Sequence, residues 1–128
     1  MGTTVLAVDD SKTIRTIIKK MFSAFECTLY EADNGLKGLA VAVEKNPDLI
    51  ILDIDMPGLN GLEVLMKLRN DDKFMKTPVF MLTAKSKEAN IRIAMELGVS
   101  AFIAKPFKKA DLLDRVQSVL LLKTKEVS

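Results

Sequence analysis

Five short apolar runs, separated by segments of helical periodicity, constrain the fold of this chain more than any other feature. The runs cover residues 5–8, 28–30, 49–52, 79–82 and 101–104. Continuous apolar runs of this length, alternating with helices, are typical of parallel strands that are buried on both faces. Five such strands alternating with five helices predict a doubly wound α/β sandwich with right-handed crossover connections.

The apolar spacing between the strands predicts where the helices lie. We expect helices over about residues 11–24, 36–45, 62–69 and 87–97, and from about residue 108 onward. Ser11 is a candidate N-cap of the first helix, and Gly98 is a natural residue to follow the fourth. The second helix carries apolar residues at helical spacing, namely Leu36, Leu39, Ala40 and Val43. Residues 124–128 are expected to fray.

Length, charge and composition exclude several classes of protein. The 128 residues fit one domain, and we expect a single domain over residues 1–128 with no output domain after it. The net charge of +2 is too small to indicate nucleic acid as a partner. The lone cysteine, Cys27, favours a reduced thiol in the cytoplasm, and no apolar stretch is long enough to predict membrane insertion. Histidine is absent, so this chain has no phosphohistidine of its own.

Four of the five apolar runs end in a polar side chain that suits phosphoryl chemistry. The residues are Asp9 and Asp10 after the first run, Asp53 after the third, Thr83 after the fourth and Lys105 after the fifth. Because the carboxyl ends of parallel strands meet at one edge of a sheet, we expect these groups to lie close together. Three carboxylates, a hydroxyl and an ammonium would bind a divalent cation and a phosphoryl group. Mg²⁺ fits, since it prefers a few carboxylate and carbonyl oxygens with retained water molecules.

Each of these residues also has a purely structural interpretation. Asp9 and Asp10 could cap a helix and compensate its dipole, and Asp53 could be a turn residue after a strand. Lys105 could be a solvated surface charge, and Thr83 could cap a helix or a turn. The functional interpretation is favoured because all five groups follow strands of the same predicted sheet.

Four short motifs, in the same order and at the same spacing, resemble the receiver domain of two-component response regulators. They are Val8-Asp9-Asp10-Ser11, Asp53 with Met56-Pro57 and Gly61, Leu82-Thr83-Ala84, and Lys105-Pro106-Phe107. The likeness covers almost the whole chain, and residues 90–107 are most similar to the stand-alone chemotaxis members of the family. The resemblance implies a flavodoxin-like parallel sheet with the strand order 2-1-3-4-5.

The resemblance also implies a role for each residue at this edge of the sheet. Asp53 would be the phosphoacceptor, which attacks the phosphodonor and forms an aspartyl phosphate. Asp10, Asp53 and the backbone carbonyl of Asp55 would bind Mg²⁺ directly, and Asp9 would hold the ion through a water molecule. Mg²⁺ and Lys105 would neutralise charge on the transferred phosphoryl group.

Four residues are implied to act in switching and in hydrolysis. Thr83 would move to meet the phosphoryl group and Phe102 would switch inward with it, although an ordinary core aromatic is the alternative for Phe102. In the family, side chains at the positions of Asp55 and Lys85 flank the path of the attacking water. We hypothesise that these two charges pair across the site and slow hydrolysis; the alternative is two unpaired surface charges.

The implied function is a signalling switch, not an enzyme beyond its own phosphorylation and dephosphorylation. A histidine kinase would be the phosphodonor. A downstream protein, such as a flagellar motor switch component, would bind the outer face of the fourth helix, the fifth strand and the fifth helix. We expect a monomer in the bacterial cytoplasm that binds neither nucleic acid nor membrane.

Three other functions stay open at this point. A single-domain phosphorelay intermediate would use the same site and pass the phosphoryl group to a histidine-bearing carrier. A degenerate receiver used only for docking would need none of the site residues together. Asp53-Ile54-Asp55 resembles the nucleophile motif of haloacid-dehalogenase-like phosphatases, but those enzymes place it on their first strand, and this chain has no insert that could form a cap.

Overall fold

The computed structural model describes residues 2–84 and 88–125, with the backbone alone for Glu88. Strands and helices alternate throughout. The strands are β1 (Thr3–Val8), β2 (Cys27–Ala32), β3 (Leu49–Asp53), β4 (Val79–Thr83) and β5 (Ala101–Ala104). The helices are α1 (Lys12–Phe22), α2 (Gly35–Lys45), α3 (Gly61–Arg69), α4 (Glu88–Glu96) and α5 (Lys109–Val119). These bounds agree with the sequence-based predictions to within about two residues, which is the ordinary uncertainty of a helix end.

The five strands form one parallel sheet in the order β2-β1-β3-β4-β5. This order confirms the doubly wound, flavodoxin-like fold. Every residue of β3 and β4 is buried, as expected for central parallel strands with helices on both faces. The carboxyl ends of β1, β3, β4 and β5 therefore meet at one edge of the sheet.

Two apolar cores lie on opposite faces of the sheet. Val5 and Ala7 of β1 pack into the core beneath α1 and α5. Leu6 and Val8 pack into the core beneath α2, α3 and α4. This alternation follows from the two-residue period of a strand, so a shift of β1 by one residue would exchange the two faces. None of the helices in the described residues is long and apolar enough to cross a membrane.

Only part of the apolar stripe of α2 packs against the core. Leu36 and Val43 are 70% and 59% exposed, whereas Gly38 and Ala42 are buried. A Cβ added to Gly38 would lie 2.9 Å from the side chain of Val8, so the absence of a side chain allows the close approach of α2 to β1. Small residues thus mark the part of this helix that lies closest to β1, and only some of its larger apolar residues pack against the core.

Arg69 joins three separate segments on the face of α2, α3 and α4. Its Nε donates to the carbonyl of Leu97 at 2.7 Å, and Nη1 donates to the carbonyls of Phe74 and Thr77 at 2.8 Å each. Nη2 donates to the carbonyl of Gly98 at 3.1 Å. Burial lowers the pKa of this guanidinium from its ordinary value. The side chain therefore fixes the C-terminal end of α4 and the α3–β4 connection to the end of α3.

The segment after α5 pairs with the connection between α1 and β2. Thr124 forms an antiparallel bridge with Phe25, and the backbone N–H of Glu26 donates to the carbonyl of Lys123 at 2.7 Å. The expectation of a frayed end is therefore wrong for Thr124, because the backbone groups before β2 need hydrogen-bond partners and this segment supplies them. Residues 126–128 lie outside the described part of the chain.

Leu122 should matter for stability even though it follows the last helix. It is 8% exposed and packs in the core with α1, whereas its neighbour Leu121 is 89% exposed. We expect Leu122→Ala to lower the free energy of unfolding by about 2 kcal/mol through lost burial and a residual cavity. Leu121→Ala should change it by less than about 0.5 kcal/mol. Urea unfolding followed by far-ultraviolet circular dichroism measures both, and equal effects would contradict the packing role of this segment.

Candidate functional site

The predicted site residues meet at the carboxyl edge of the sheet. Asp9 and Asp10 follow β1, Asp53 is the last residue of β3 and Thr83 is the last residue of β4. Lys105 follows β5 directly, and its backbone N–H donates to the carbonyl of Thr83 at 2.7 Å. The parallel register of neighbouring strands thus brings together residues that are as much as 96 positions apart in the sequence.

Lys105 bridges two buried carboxylates. Its Nζ lies 3.0 Å from Asp9 Oδ2 and 3.1 Å from Asp53 Oδ1, and both aspartates are 1% exposed. Burial by itself would lower the pKa of this ammonium, but the close contacts with Asp9 and Asp53 and their negative charges outweigh burial, and the net effect raises the pKa. Lys105 is therefore held as a cation between the two acids, which separates it from a solvated surface lysine.

The Asp53 carboxyl is destabilised in its charged form. Burial and, to a smaller extent, repulsion by Asp9 raise the pKa of Asp53 to about 6. Two contacts lower the pKa of Asp53 without cancelling this rise. They are the charge and hydrogen bond of Lys105, and the backbone N–H of Asp55, which donates to Asp53 Oδ1 at 3.2 Å. A single ammonium therefore does not fully compensate this group of acids.

Three carboxylates form a cluster that fits a divalent cation. Asp9, Asp10 and Asp53 each offer an oxygen, and these oxygens lie within 4.8 Å of one another. Asp10 is exposed, so the cluster opens to solvent on that side. Within the described residues, the buried Asp9 Oδ2 accepts no hydrogen bond of good geometry, although the Lys105 ammonium lies 3.0 Å away. Three acids against one ammonium leave an excess of negative charge, which suits Mg²⁺ with its preference for oxygen ligands.

Backbone contacts fix the orientation of the two buried acids. The N–H of Ser11 donates to Asp9 Oδ1 at 2.8 Å, while Ser11 Oγ accepts from Ile14 and caps α1 as predicted. A Cβ at Gly61 would collide with the carbonyl oxygen of Asp53 and with Ile54, so only glycine fits where α3 begins. The N-cap of α1 and the first residue of α3 are therefore in direct contact with the two buried acids.

The structure places the predicted switch and hydrolysis residues in different surroundings. Thr83 is fully buried, and its Oγ1 donates to Asp55 Oδ2 at 3.4 Å. Sequence reasoning missed this contact because it joins residues 28 positions apart and depends on how two strand ends align. Phe102 is half-buried against the core of α2, α3 and α4. Lys85, and with it the proposed Asp55–Lys85 pair, lies outside the described residues.

The sequence matches a known family over most of its length. Residues 5–117 match the response regulator receiver domain. The chain therefore belongs to the response regulator receiver domain family, whose members are signalling proteins and not classical enzymes. Receiver domains in general bind Mg²⁺ at an acidic pocket, have a kinase partner as phosphodonor and act on downstream targets.

Individual relatives include both transcriptional and chemotaxis regulators. The chain is 38% identical over 122 residues to the phosphate regulon transcriptional regulatory protein PhoB of Pseudomonas aeruginosa, covering 94% of this chain and 52% of PhoB. It is 38% identical over 118 residues to the transcriptional regulatory protein ResD of Bacillus subtilis, covering 92% of this chain and 48% of ResD. The chain thus spans about half the length of these two relatives.

Chemotaxis proteins match over nearly their whole length. The chain is 35% identical over 117 residues to CheY-3 of Vibrio cholerae, covering 90% of this chain and 89% of CheY-3. The structure of the chemotaxis protein CheY4 of Vibrio cholerae superposes with a TM-score of 0.87 at 31% identity, covering 94% of this chain and all of CheY4. The sequence resemblance to a CheY-like receiver domain is confirmed.

The raised pKa of Asp53 makes stability depend on pH in a defined direction. The unfolded chain releases this proton near pH 3.8 and the folded chain near pH 6, so folding loses stability as the pH rises between these values. Without metal, we expect Asp53→Asn to raise the free energy of unfolding by about 1–3 kcal/mol at pH 7.5, and to change it little below about pH 4. Urea unfolding at the two pH values measures the difference.

An exposed acid provides the control for this measurement. Asp33→Asn also removes one carboxylate, but the Asp33 side chain is about half exposed, so its substitution should have little effect at either pH. If Asp53→Asn lowered the free energy of unfolding at pH 7.5, the inference that the charged Asp53 carboxylate destabilises the folded protein would be contradicted.

Proposed function

We propose that this chain is a phosphorylation-activated switch that accepts a phosphoryl group on Asp53 from a phosphohistidine of a histidine kinase, with Mg²⁺ as cofactor. The observation that carries the proposal is the Lys105 ammonium, which lies between the buried carboxylates of Asp9 and Asp53. A structural ion pair needs one acid and one base. A second buried acid next to the pair, with Asp10 in the same cluster, indicates a site that receives positive charge and then a phosphoryl group.

The proposed reaction is an in-line displacement at phosphorus. An oxygen of the ionised Asp53 carboxylate forms the new bond to phosphorus while the bond to the donor histidine nitrogen breaks, and the electron pair stays with that nitrogen. Lys105 offers its ammonium to the phosphoryl oxygens. Asp10, Asp53 and the backbone carbonyl of Asp55 would hold Mg²⁺, with Asp9 acting through water. The bound ion would supply further positive charge against the phosphoryl oxygens.

The proposed output is the binding of a partner protein. Thr83 and Lys105 end adjacent strands, so an attraction of Thr83 toward the phosphoryl group would act on the connection to α4 and on β5, where Phe102 lies. Phosphorylation can shift this equilibrium only by the difference in its interaction with the two conformations. Chemotaxis is the favoured setting because residues 90–107 resemble the chemotaxis members of the family and CheY-3 is among the relatives. The proposed target of this monomeric, cytoplasmic regulator is a flagellar motor switch component.

Phosphorylation of Asp53 should be visible by mass. After incubation with acetyl phosphate and Mg²⁺, we expect the native chain to gain the mass of one phosphoryl group, and we expect no gain without Mg²⁺. Asp53→Ala should show no gain, because the attacking oxygen is absent. Asp33→Ala, at an exposed site, should behave like the native chain.

Beryllofluoride, a stable phosphoryl mimic, separates a failed reaction from a short lifetime. If the native chain neither gains mass nor binds beryllofluoride with Mg²⁺, the proposed function is wrong and a docking domain takes its place. If it binds the mimic without gaining detectable mass, rapid hydrolysis explains the result. A phosphoryl group that persists on Asp53→Ala would place the acceptor elsewhere.

The proposed Asp55–Lys85 pair predicts a change in phosphoryl lifetime. If the two charges restrict the attacking water, Lys85→Ala should shorten the half-life of the phosphorylated protein by about two- to fivefold, as the loss of one partly exposed ion pair allows. Loss of phosphorylated mass with time after removal of the donor measures the half-life. Lys20→Ala, in an exposed position on α1, is the control. An unchanged or longer half-life in Lys85→Ala would contradict the pair.

A further inference from the structure

The contact between Asp55 and Thr83 joins two residues that the resemblance treats separately. Thr83 Oγ1 donates to Asp55 Oδ2 at 3.4 Å, a weak hydrogen bond that is longer than the usual O–H···O distance. Thr83 is fully buried at the end of β4, whereas Asp55 lies on the exposed loop after β3. The backbone N–H of Asp55 donates to Asp53 Oδ1 at 3.2 Å, so this loop is attached to the phosphoacceptor itself. The Asp55 carboxylate is thus held at the mouth of the site.

A hydroxyl group has one proton to donate. When the Thr83 hydroxyl donates to Asp55, it cannot also donate to an oxygen of a phosphoryl group on Asp53. The Asp55 carboxylate and a phosphoryl group both carry negative charge, so both attract the hydroxyl proton. The two acceptors therefore compete for the same proton, and each stabilises a different position of Thr83.

We propose that Asp55 is a positioning residue that holds the Thr83 hydroxyl away from the phosphoryl position. The interaction of Thr83 with a phosphoryl group must then outweigh its contact with Asp55 before the protein switches. The inference rests on the proposed function, because it concerns competition with a phosphoryl group. It assigns to the Asp55 side chain a role before phosphorylation, which is separate from the metal contact of its backbone carbonyl and from any effect on hydrolysis.

Competition predicts that removal of the Asp55 carboxylate favours the phosphoryl-bound state. We expect Asp55→Ala to bind beryllofluoride, in the presence of Mg²⁺, about tenfold more tightly than the native chain, which corresponds to about 1.4 kcal/mol. Fluorine NMR of free and bound beryllofluoride measures the dissociation constant. Asp55→Asn keeps an oxygen acceptor without the charge, so its affinity should lie between those of the native chain and Asp55→Ala.

The loss of a negative charge would by itself favour an anionic ligand, and a double-mutant cycle separates the two causes. In a Thr83→Val background there is no hydroxyl proton to compete for, so Asp55→Ala should change the affinity by less than about twofold. Asp33→Ala, which removes an exposed carboxylate from the β2–α2 connection, should leave the affinity unchanged. A tenfold effect of Asp55→Ala that persists with Thr83→Val would overturn the proposal in favour of charge repulsion alone.

A second measurement examines the contact without any phosphoryl mimic. In the metal-free protein, Asp55→Ala should shift the methyl resonance of Thr83, and Asp33→Ala should not. An unshifted Thr83 methyl would overturn the contact itself, even if the beryllofluoride affinity changed. If the native chain binds no beryllofluoride, the proposed function fails and the competition fails with it. If the native chain binds it and Asp55→Ala binds it equally, only the role of Asp55 is wrong.

Discussion

The ammonium of Lys105 between Asp9 and Asp53 is the interaction on which the rest of the site depends. Two carboxylates that are almost wholly removed from water and close to each other would be costly without a nearby cation. Lys105 supplies that cation but leaves an excess of negative charge, since Asp10 belongs to the same cluster. The pKa of Asp53, raised to about 6 chiefly by burial, reflects this incomplete balance. The site therefore keeps a net negative charge that suits a further cation.

The fold connects this local balance to several parts of the molecule because the site residues lie at the ends of four different strands. The central strands are buried on both faces and are paired along their length, which holds their ends next to one another. The connections beyond those ends include exposed residues, such as Asp55 and Asp10. A rigid set of strand ends with adaptable loops between them allows one bound group to act on several loops at once.

The sequence was sufficient for the parts of the fold that follow from periodicity. Buried parallel strands are continuous apolar runs, so the strands, the helices between them and the shared edge could all be predicted. The strand order was implied by the family resemblance. The inner face of α2 could not be read from apolar spacing, because the residues that approach β1 most closely, such as Gly38, are recognised only by the space available to them. The contact between Asp55 and Thr83 could not be predicted because it depends on the register of two strands. The role of Arg69 could not be predicted either, because nothing in the sequence separates it from the other Lys and Arg residues, 19 in all.

Arg69 anchors the C-terminal end of α4. Its guanidinium donates to the carbonyls of Leu97 and Gly98, where α4 has just ended, and to two more in the α3–β4 connection. Pulling that end of the helix away would leave several acceptors unpaired, at a cost of about 1–3 kcal/mol for each group that stays buried. A tilt about the same end preserves these hydrogen bonds and displaces the other end most. A rotation of α4 about its Arg69-bound end would therefore displace the N-terminal end of the helix, which follows β4 in the chain, more than any other part of it.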